Sequence, residues 1–191
     1  MRKRYLLGLG ATMAAAAVLA VGISPSDAQQ PTSGPTALTA ADSGSLKGPT
    51  QPIFFRHDIH AGELKLQCQY CHYSVGVSTE PGIPSMQTCM GCHAVVQGRD
   101  STDKAEITKL KDAWAAGTPV EWVRIHNLAR HVRFPHMSHI KALGPNACAT
   151  CHGNVARMPQ VFKVNNVNNM GFCINCHLER NVTRDCTACH Y

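Results

Sequence analysis

The pentapeptide C-x-x-C-H occurs five times in this sequence, and it restricts the chain more than any other feature. All ten cysteines belong to these pentapeptides, and a histidine follows each second cysteine. In c-type haem attachment, the two thiols bind the porphyrin covalently and the histidine binds the iron. In chain order, sites 1 to 5 are Cys68, Cys71 and His72; Cys89, Cys92 and His93; Cys148, Cys151 and His152; Cys173, Cys176 and His177; and Cys186, Cys189 and His190.

Zinc sites and disulfide frameworks are the competing interpretations of so many cysteines. A single C-x-x-C-H could be half of a zinc site or a redox dithiol. Neither chemistry requires a histidine directly after every second cysteine, and here that histidine is present five times out of five. The sequence therefore predicts five covalently bound haem c groups, which makes the chain a pentahaem cytochrome c.

The composition indicates what such a chain can fold into. Aromatic residues make up only 6% of the sequence, so large side chains are too few to build an ordinary core. Residues 51–191 are also too short to wrap five separate haem pockets. We expect a small, mainly α-helical and irregular body with little sheet, in which a stack of haems forms the core.

The net charge of +6 does not indicate a nucleic-acid partner. Haem propionates would offset it, and the sequence has no basic stripe interleaved with aromatic residues. We therefore expect no binding to nucleic acid.

The N-terminal segment predicts export from the cytoplasm. A basic start, Met1–Arg4, precedes an uncharged run from Tyr5 to Ser26. Residues 1–28 fit either a cleaved signal peptide or an uncleaved membrane anchor, since about 20 apolar residues can span a bilayer. Both alternatives place the rest of the chain on the periplasmic side of the bacterial inner membrane. Residues 29–50, rich in Pro, Ser, Thr and Gly, are predicted to be a flexible linker.

An internal repeat predicts two haem modules. The pattern F-x-H-x-x-H supplies His57 and His60 before site 1, and His136 and His139 before site 3. Histidines three residues apart share one face of a helical turn, yet each iron has one distal position. We therefore expect each pair to serve two different haems. The predicted domains are residues 51–100 with two haems, a connecting helix within 101–122, and residues 123–191 with three haems.

One distal ligand remains unassigned after these four. His126 is the favoured residue, and the alternatives are His131 and Met158, which as a thioether ligand would raise that haem's potential. Site 5 ends one residue before Tyr191, so we expect its distal ligand to come from earlier in the sequence. Between the modules, residues 104–116 are predicted to form an amphipathic helix capped by Asp103.

The motifs resemble those of class III cytochromes of the c3 and c7 type. More closely, residues 57–71, 82–93, 123–139 and 170–177 are similar to the pentahaem cytochrome c subunit of alternative complex III, a quinol-oxidising respiratory complex. This resemblance implies electron transfer from an iron–sulfur subunit to a monohaem cytochrome c or terminal oxidase. It also implies polytopic membrane subunits as partners and a membrane anchor in many relatives.

The expected role is electron transfer without substrate chemistry, because histidines on both sides of an iron leave no open position. A freestanding periplasmic shuttle of the c7 type is the alternative. A multihaem enzyme would need an iron with a vacant face, so we expect no catalytic residues in this chain.

Overall fold

The computed structural model describes residues 46–164 and 166–191, which belong to one folded unit. The predicted signal or anchor segment and most of the predicted linker lie outside these residues. In the part that is described, no helix is both long and apolar enough to cross a membrane. Its α-helices are α1 (Cys68–Cys71), α2 (Met86–His93), α3 (Ser101–Ala115), α4 (His136–Leu143), α5 (Ala147–His152), α6 (Met170–Glu179) and α7 (Cys186–Cys189).

Short helices carry the attachment motifs. The two cysteines of each motif are three residues apart, so a single helical turn brings both thiols to one side. Helices α2 and α5 end at the attachment histidine, and α6 contains a complete site. Four of the five attachment helices have four to eight residues and α6 has ten, so their stability depends on packing more than on helix propensity.

The prediction of a mainly helical and irregular body is confirmed. Between residues 46 and 191, with residue 165 set aside, strand-type pairing is limited to one antiparallel bridge between Val132 and His190. A π-helical turn, Asp58–Glu63, contains one of the predicted ligand histidines. Turns of this type occur often at functional sites.

The connecting helix α3 is present, but it begins earlier than predicted. Asp100 caps it, because its carboxylate accepts the backbone N–H groups of Thr102 and Asp103 at 2.8 and 2.9 Å. These hydrogen bonds hold the pKa of Asp100 below its usual value. The predicted cap, Asp103, therefore lies inside the first turn, where a carboxylate favours the helix dipole.

Side chains alone form a very small core. Among the described residues, the buried apolar side chains are Val75, Leu110, Ala147 and Met158. Large apolar side chains are instead exposed beside attachment sites, for example Tyr73 (67%) after site 1 and Val95 (78%) after site 2. Exposed apolar side chains that cluster at one place usually mark a surface that binds a partner or a ligand. This distribution fits a body in which prosthetic groups cover apolar side chains.

The end of the predicted linker contacts the body. The Gly48 carbonyl accepts a hydrogen bond from the buried Gln160 side chain at 2.8 Å. Gly48 has a φ of +97°, and a Cβ there would lie 2.4 Å from the Val161 carbonyl oxygen. Only glycine fits this left-handed, crowded position. In the structure, packing thus begins before residue 51.

Glu106 anchors α3 to the segment that precedes the first ligand pair. Its buried carboxylate accepts the Phe54 backbone N–H at 2.8 Å and the Lys109 ammonium at 2.7 Å. We expect Glu106→Ala to lower the free energy of unfolding by about 1–3 kcal/mol, because the half-buried Phe54 N–H loses its acceptor. Denaturant unfolding of the holoprotein measures this change.

Two variants provide the controls for Glu106. Glu106→Gln retains an acceptor oxygen and should be less destabilising than Glu106→Ala, while Asp112→Ala, at an exposed position on the same helix, should change stability little. Equal losses for Glu106→Ala and Asp112→Ala would contradict the anchoring role.

Candidate haem-attachment and iron-ligand sites

The ten attachment cysteines all carry free thiols in the structure, and each is exposed or half-buried. Their arrangement is therefore not that of a disulfide framework. Accessible thiols in pairs on single helical turns suit thioether formation with a porphyrin edge. This arrangement is compatible with covalent haem attachment, which stays a prediction.

The two predicted ligand pairs have nearly the same geometry, as their sequence repeat predicts. Phe55 stacks on His60 with ring centres 4.4 Å apart, and Phe134 stacks on His139 at 4.2 Å. The first histidine of each pair meets its phenylalanine edge-on, at 4.8 Å in both copies. One phenylalanine thus orients both imidazoles of its pair.

The second histidine of each pair lies opposite a distant attachment histidine. The ring centres of His60 and His93 are 6.0 Å apart, and those of His139 and His177 are 6.1 Å apart. A ligating imidazole nitrogen lies about 2 Å from a bound metal ion, so two rings on opposite sides of it have centres roughly 6 Å apart. Both pairs therefore fit an iron held between them.

Backbone carbonyls fix the orientation of most of these imidazoles. When Nδ1 donates to a carbonyl, Nε2 is left as the metal-binding nitrogen. Seven histidines have an Nδ1 atom 2.6–3.3 Å from a backbone carbonyl oxygen: His60, His72, His93, His136, His139, His177 and His190. This pattern is what proximal and distal iron ligands need.

A histidine from the segment before α4 lies opposite the attachment histidine of site 5. The rings of His131 and His190 are nearly parallel, with centres 5.5 Å apart. The His131 carbonyl accepts the backbone N–H of Tyr191 at 3.2 Å, and Arg133 donates its N–H to Cys189 at 2.7 Å. This backbone pairing places His131 opposite the attachment histidine of site 5. The expected long-range closure of this site is therefore present.

Further histidines lie close to the attachment histidines of sites 1 and 3. Burial and the nearby His72 and His60 lower the pKa of His57 to about 4. Burial, followed by the nearby His126, His136 and His72, lowers the pKa of His152 to about 4. These imidazoles are held neutral, which is the form that binds a metal.

His126 contacts His152 in a different way from the opposed pairs. Their ring centres are 4.4 Å apart and the rings are perpendicular, which is closer than the 6 Å of the pairs described above. Its Nε2 is buried without a hydrogen-bond partner, and burial lowers its pKa, with a further contribution from Lys163. His126 thus lies beside site 3, whereas His131 faces site 5.

The Met158 side chain is buried and packs beside the segment that follows site 3. It is 5% exposed, and its methyl group lies 3.5 Å from the position that a Cβ would occupy at Gly153, directly after site 3. Buried methionines commonly fill irregular gaps of this kind.

A buried ion pair within the first ligand motif was not found from the sequence. Arg56 is 4% exposed, and its guanidinium makes two hydrogen bonds to the Asp58 carboxylate. The Arg56 carbonyl also accepts the Nδ1 hydrogen of His60 at 2.8 Å. The second copy has Pro135 and Met137 at the corresponding positions. This difference between the two copies was the feature of the sequence that could have indicated the ion pair.

Comparisons with known families agree with this geometry. The model described as "Class III cytochrome C family" matches residues 35–127, and the one described as "Cytochrome c7 and related cytochrome c" matches residues 132–191. The chain therefore has the fold class of a multihaem cytochrome c of the class III type. The class III matches and the helical structure without a sheet in the described residues together confirm the predicted fold class, and covalently bound haem c is implied by both families.

One curated relative of this multihaem cytochrome c is the "Menaquinone reductase, multiheme cytochrome c subunit" of Nitratidesulfovibrio vulgaris strain Hildenborough. It is 28% identical over 102 residues, which cover 53% of this chain and 45% of the relative. The chain therefore matches less than half the length of that protein.

The cytochrome provides a matched pair of variants for the fifth distal ligand. We expect His131→Ala to convert one haem from low spin to high spin, because its iron loses an axial nitrogen. His126→Ala should leave the low-spin spectrum unchanged, since its ring does not oppose an attachment histidine. Electron paramagnetic resonance of the oxidised holoprotein measures both. The reverse result would assign the ligand to His126.

Proposed function

We propose that this multihaem cytochrome binds five haem c groups and conducts electrons between partner proteins. Haem c, when bound, supplies an iron that alternates between the ferrous and ferric states. The chain's cysteines fix the five groups, and its histidines hold each iron on both sides. The histidine pairs at 6.0 and 6.1 Å are the observation that carries this proposal.

The proposed ligand set follows from the site geometry. The attachment histidines are the proximal ligands. The distal ligands proposed for sites 1 to 5, in that order, are His57, His60, His136, His139 and His131. Opposed pairs support three of these assignments, and the equivalence of the two F-x-H-x-x-H motifs supports His57 and His136. Irons with two histidine ligands have no open position, so the chain itself performs no substrate chemistry.

We further propose that the cytochrome is a subunit of a membrane quinol-oxidising complex at the periplasmic side of the bacterial inner membrane. The motif resemblance to alternative complex III supports this role. The quinone-linked relative supports membership of a membrane complex more generally. The proposed partners are an iron–sulfur subunit and polytopic membrane subunits, with a monohaem cytochrome c or terminal oxidase as the acceptor.

Two other functions are candidates. One differs from the proposal in the direction of electron flow, and the other in that the protein would not be bound in a complex. The relative's name describes a reductase, which favours electron flow from the haems to menaquinone in that protein. The c7 match over residues 132–191 favours a freestanding periplasmic shuttle. Both functions would use the same five-haem domain, and they differ in the partners that bind to it.

Native purification followed by quinol addition tests the proposed complex. In mild detergent, we expect the haem-stained band to migrate with iron–sulfur and polytopic subunits, and menaquinol to reduce its haems. A haem band that migrates alone would exclude the complex and support the shuttle. Oxidation of pre-reduced haems by menaquinone, without reduction by menaquinol, would reverse the proposed direction.

A further inference from the structure

We propose that the attachment sites follow one another in space in the order 2, 1, 3, 4, 5, which differs from their order in the sequence. The conducting path is then a single line whose ends are site 2 (Cys89–His93) and site 5 (Cys186–His190). This inference rests on the proposed function, since it assumes that all five sites bind haem.

Site 2 adjoins site 1 through their shared ligand turn. His60 faces His93 of site 2 at 6.0 Å, and His57, one turn earlier, lies near His72 of site 1. Their cysteines are also close, since the Cys71 sulfur of site 1 lies near the Cys92 sulfur of site 2.

Site 1 then adjoins site 3 across the boundary between the two modules. The Cys68 sulfur of site 1 lies within hydrogen-bonding reach of the Cys148 sulfur of site 3. A cavity of about 490 Å³ lies at the same junction, lined by Gln69 of α1 and by Met137 and Ile140 of α4, among others.

The two modules also contact each other through their backbones at this junction. Helix α4 packs on residues 73–76, which follow site 1, and the backbone and ring N–H groups of His136 approach the Thr79 carbonyl at 3.4 and 2.8 Å. Conversely, the turn Asp58–Glu63 packs on residues 155–157, which follow site 3. Each ligand turn thus contacts the segment after the first site of the other module.

Gly62 shows how close this contact is. A Cβ at Gly62 would lie 2.4 Å from the Ala156 carbonyl oxygen, a distance that real Cβ atoms do not reach. Glycine is therefore required for the two modules to approach each other here.

Sites 3, 4 and 5 continue the line in sequence order. Helix α4 carries both His136, which lies near His152 of site 3, and His139. The Cys173 sulfur of site 4 lies near the Cys189 sulfur of site 5. His139 faces site 4 at 6.1 Å, and His131 faces site 5 at 5.5 Å.

The order assigns the two partner contacts to opposite ends of one path. Sites 2 and 5 are the two ends of this line, so an electron donor would contact one of them and the acceptor the other, while sites 1 and 3 connect the modules.

Anomalous diffraction at the iron edge from crystals of the holoprotein tests the order directly. We expect five iron positions, with the shortest separation between modules joining sites 1 and 3, and with sites 2 and 5 at the ends. If the shortest iron–iron separation between the two modules involved site 2 instead of site 1, the order would be overturned. Fewer than five irons in the correctly matured protein would instead contradict the proposed five-haem function.

Two variants test the junction in solution. Gly62→Ala should slow electron redistribution between the modules after partial photoreduction, because the added methyl group separates the turn from Ala156. Asp112→Ala, at an exposed position on α3 outside every attachment motif, should leave the rate unchanged. With haem content and low-spin spectra retained, equal rates in both variants would contradict the junction. If Gly62→Ala fails to retain haem, the iron positions of the unmodified protein decide.

Discussion

Opposed imidazoles from distant parts of the chain are the interaction on which this structure depends. At sites 2, 4 and 5, the proposed iron joins an attachment histidine to a histidine that lies 33, 38 and 59 positions earlier in the sequence, respectively. The polypeptide itself buries few apolar side chains among the described residues. Axial ligation and haem packing would therefore supply the cross-links and the apolar interior that an ordinary core provides.

The repeat explains how one short motif can organise two modules. In both copies, a phenylalanine stacks on the second histidine and meets the first one edge-on. The copies differ in what surrounds this unit, since the first has a buried Arg56–Asp58 ion pair and the second has Pro135 and Met137. Charge near an iron affects its potential, so equal ligation does not imply equal potentials in the two modules.

The attachment motifs and the repeated ligand pairs could be recognised from the sequence because their chemistry depends on local spacing. The C-x-x-C-H pattern places two thiols and an imidazole on one short helix, and F-x-H-x-x-H places two imidazoles on one turn. The pairing of distal ligands depends on long-range packing, which spacing does not encode. His126 and His131 look alike in the sequence, and only the bridge between Val132 and His190 distinguishes them.

The sequence by itself determined the cofactor chemistry, the number of attachment motifs and the helical class, because cysteine and histidine spacing and the scarcity of aromatic residues restrict these directly. The tertiary structure decided which histidines face one another and which sites adjoin. The reason is steric and long-range: the close approach of Gly62 to Ala156 and the contact of His136 with Thr79 bring together segments that are far apart in the chain. These contacts make the proposed spatial order of the sites differ from their order in the sequence.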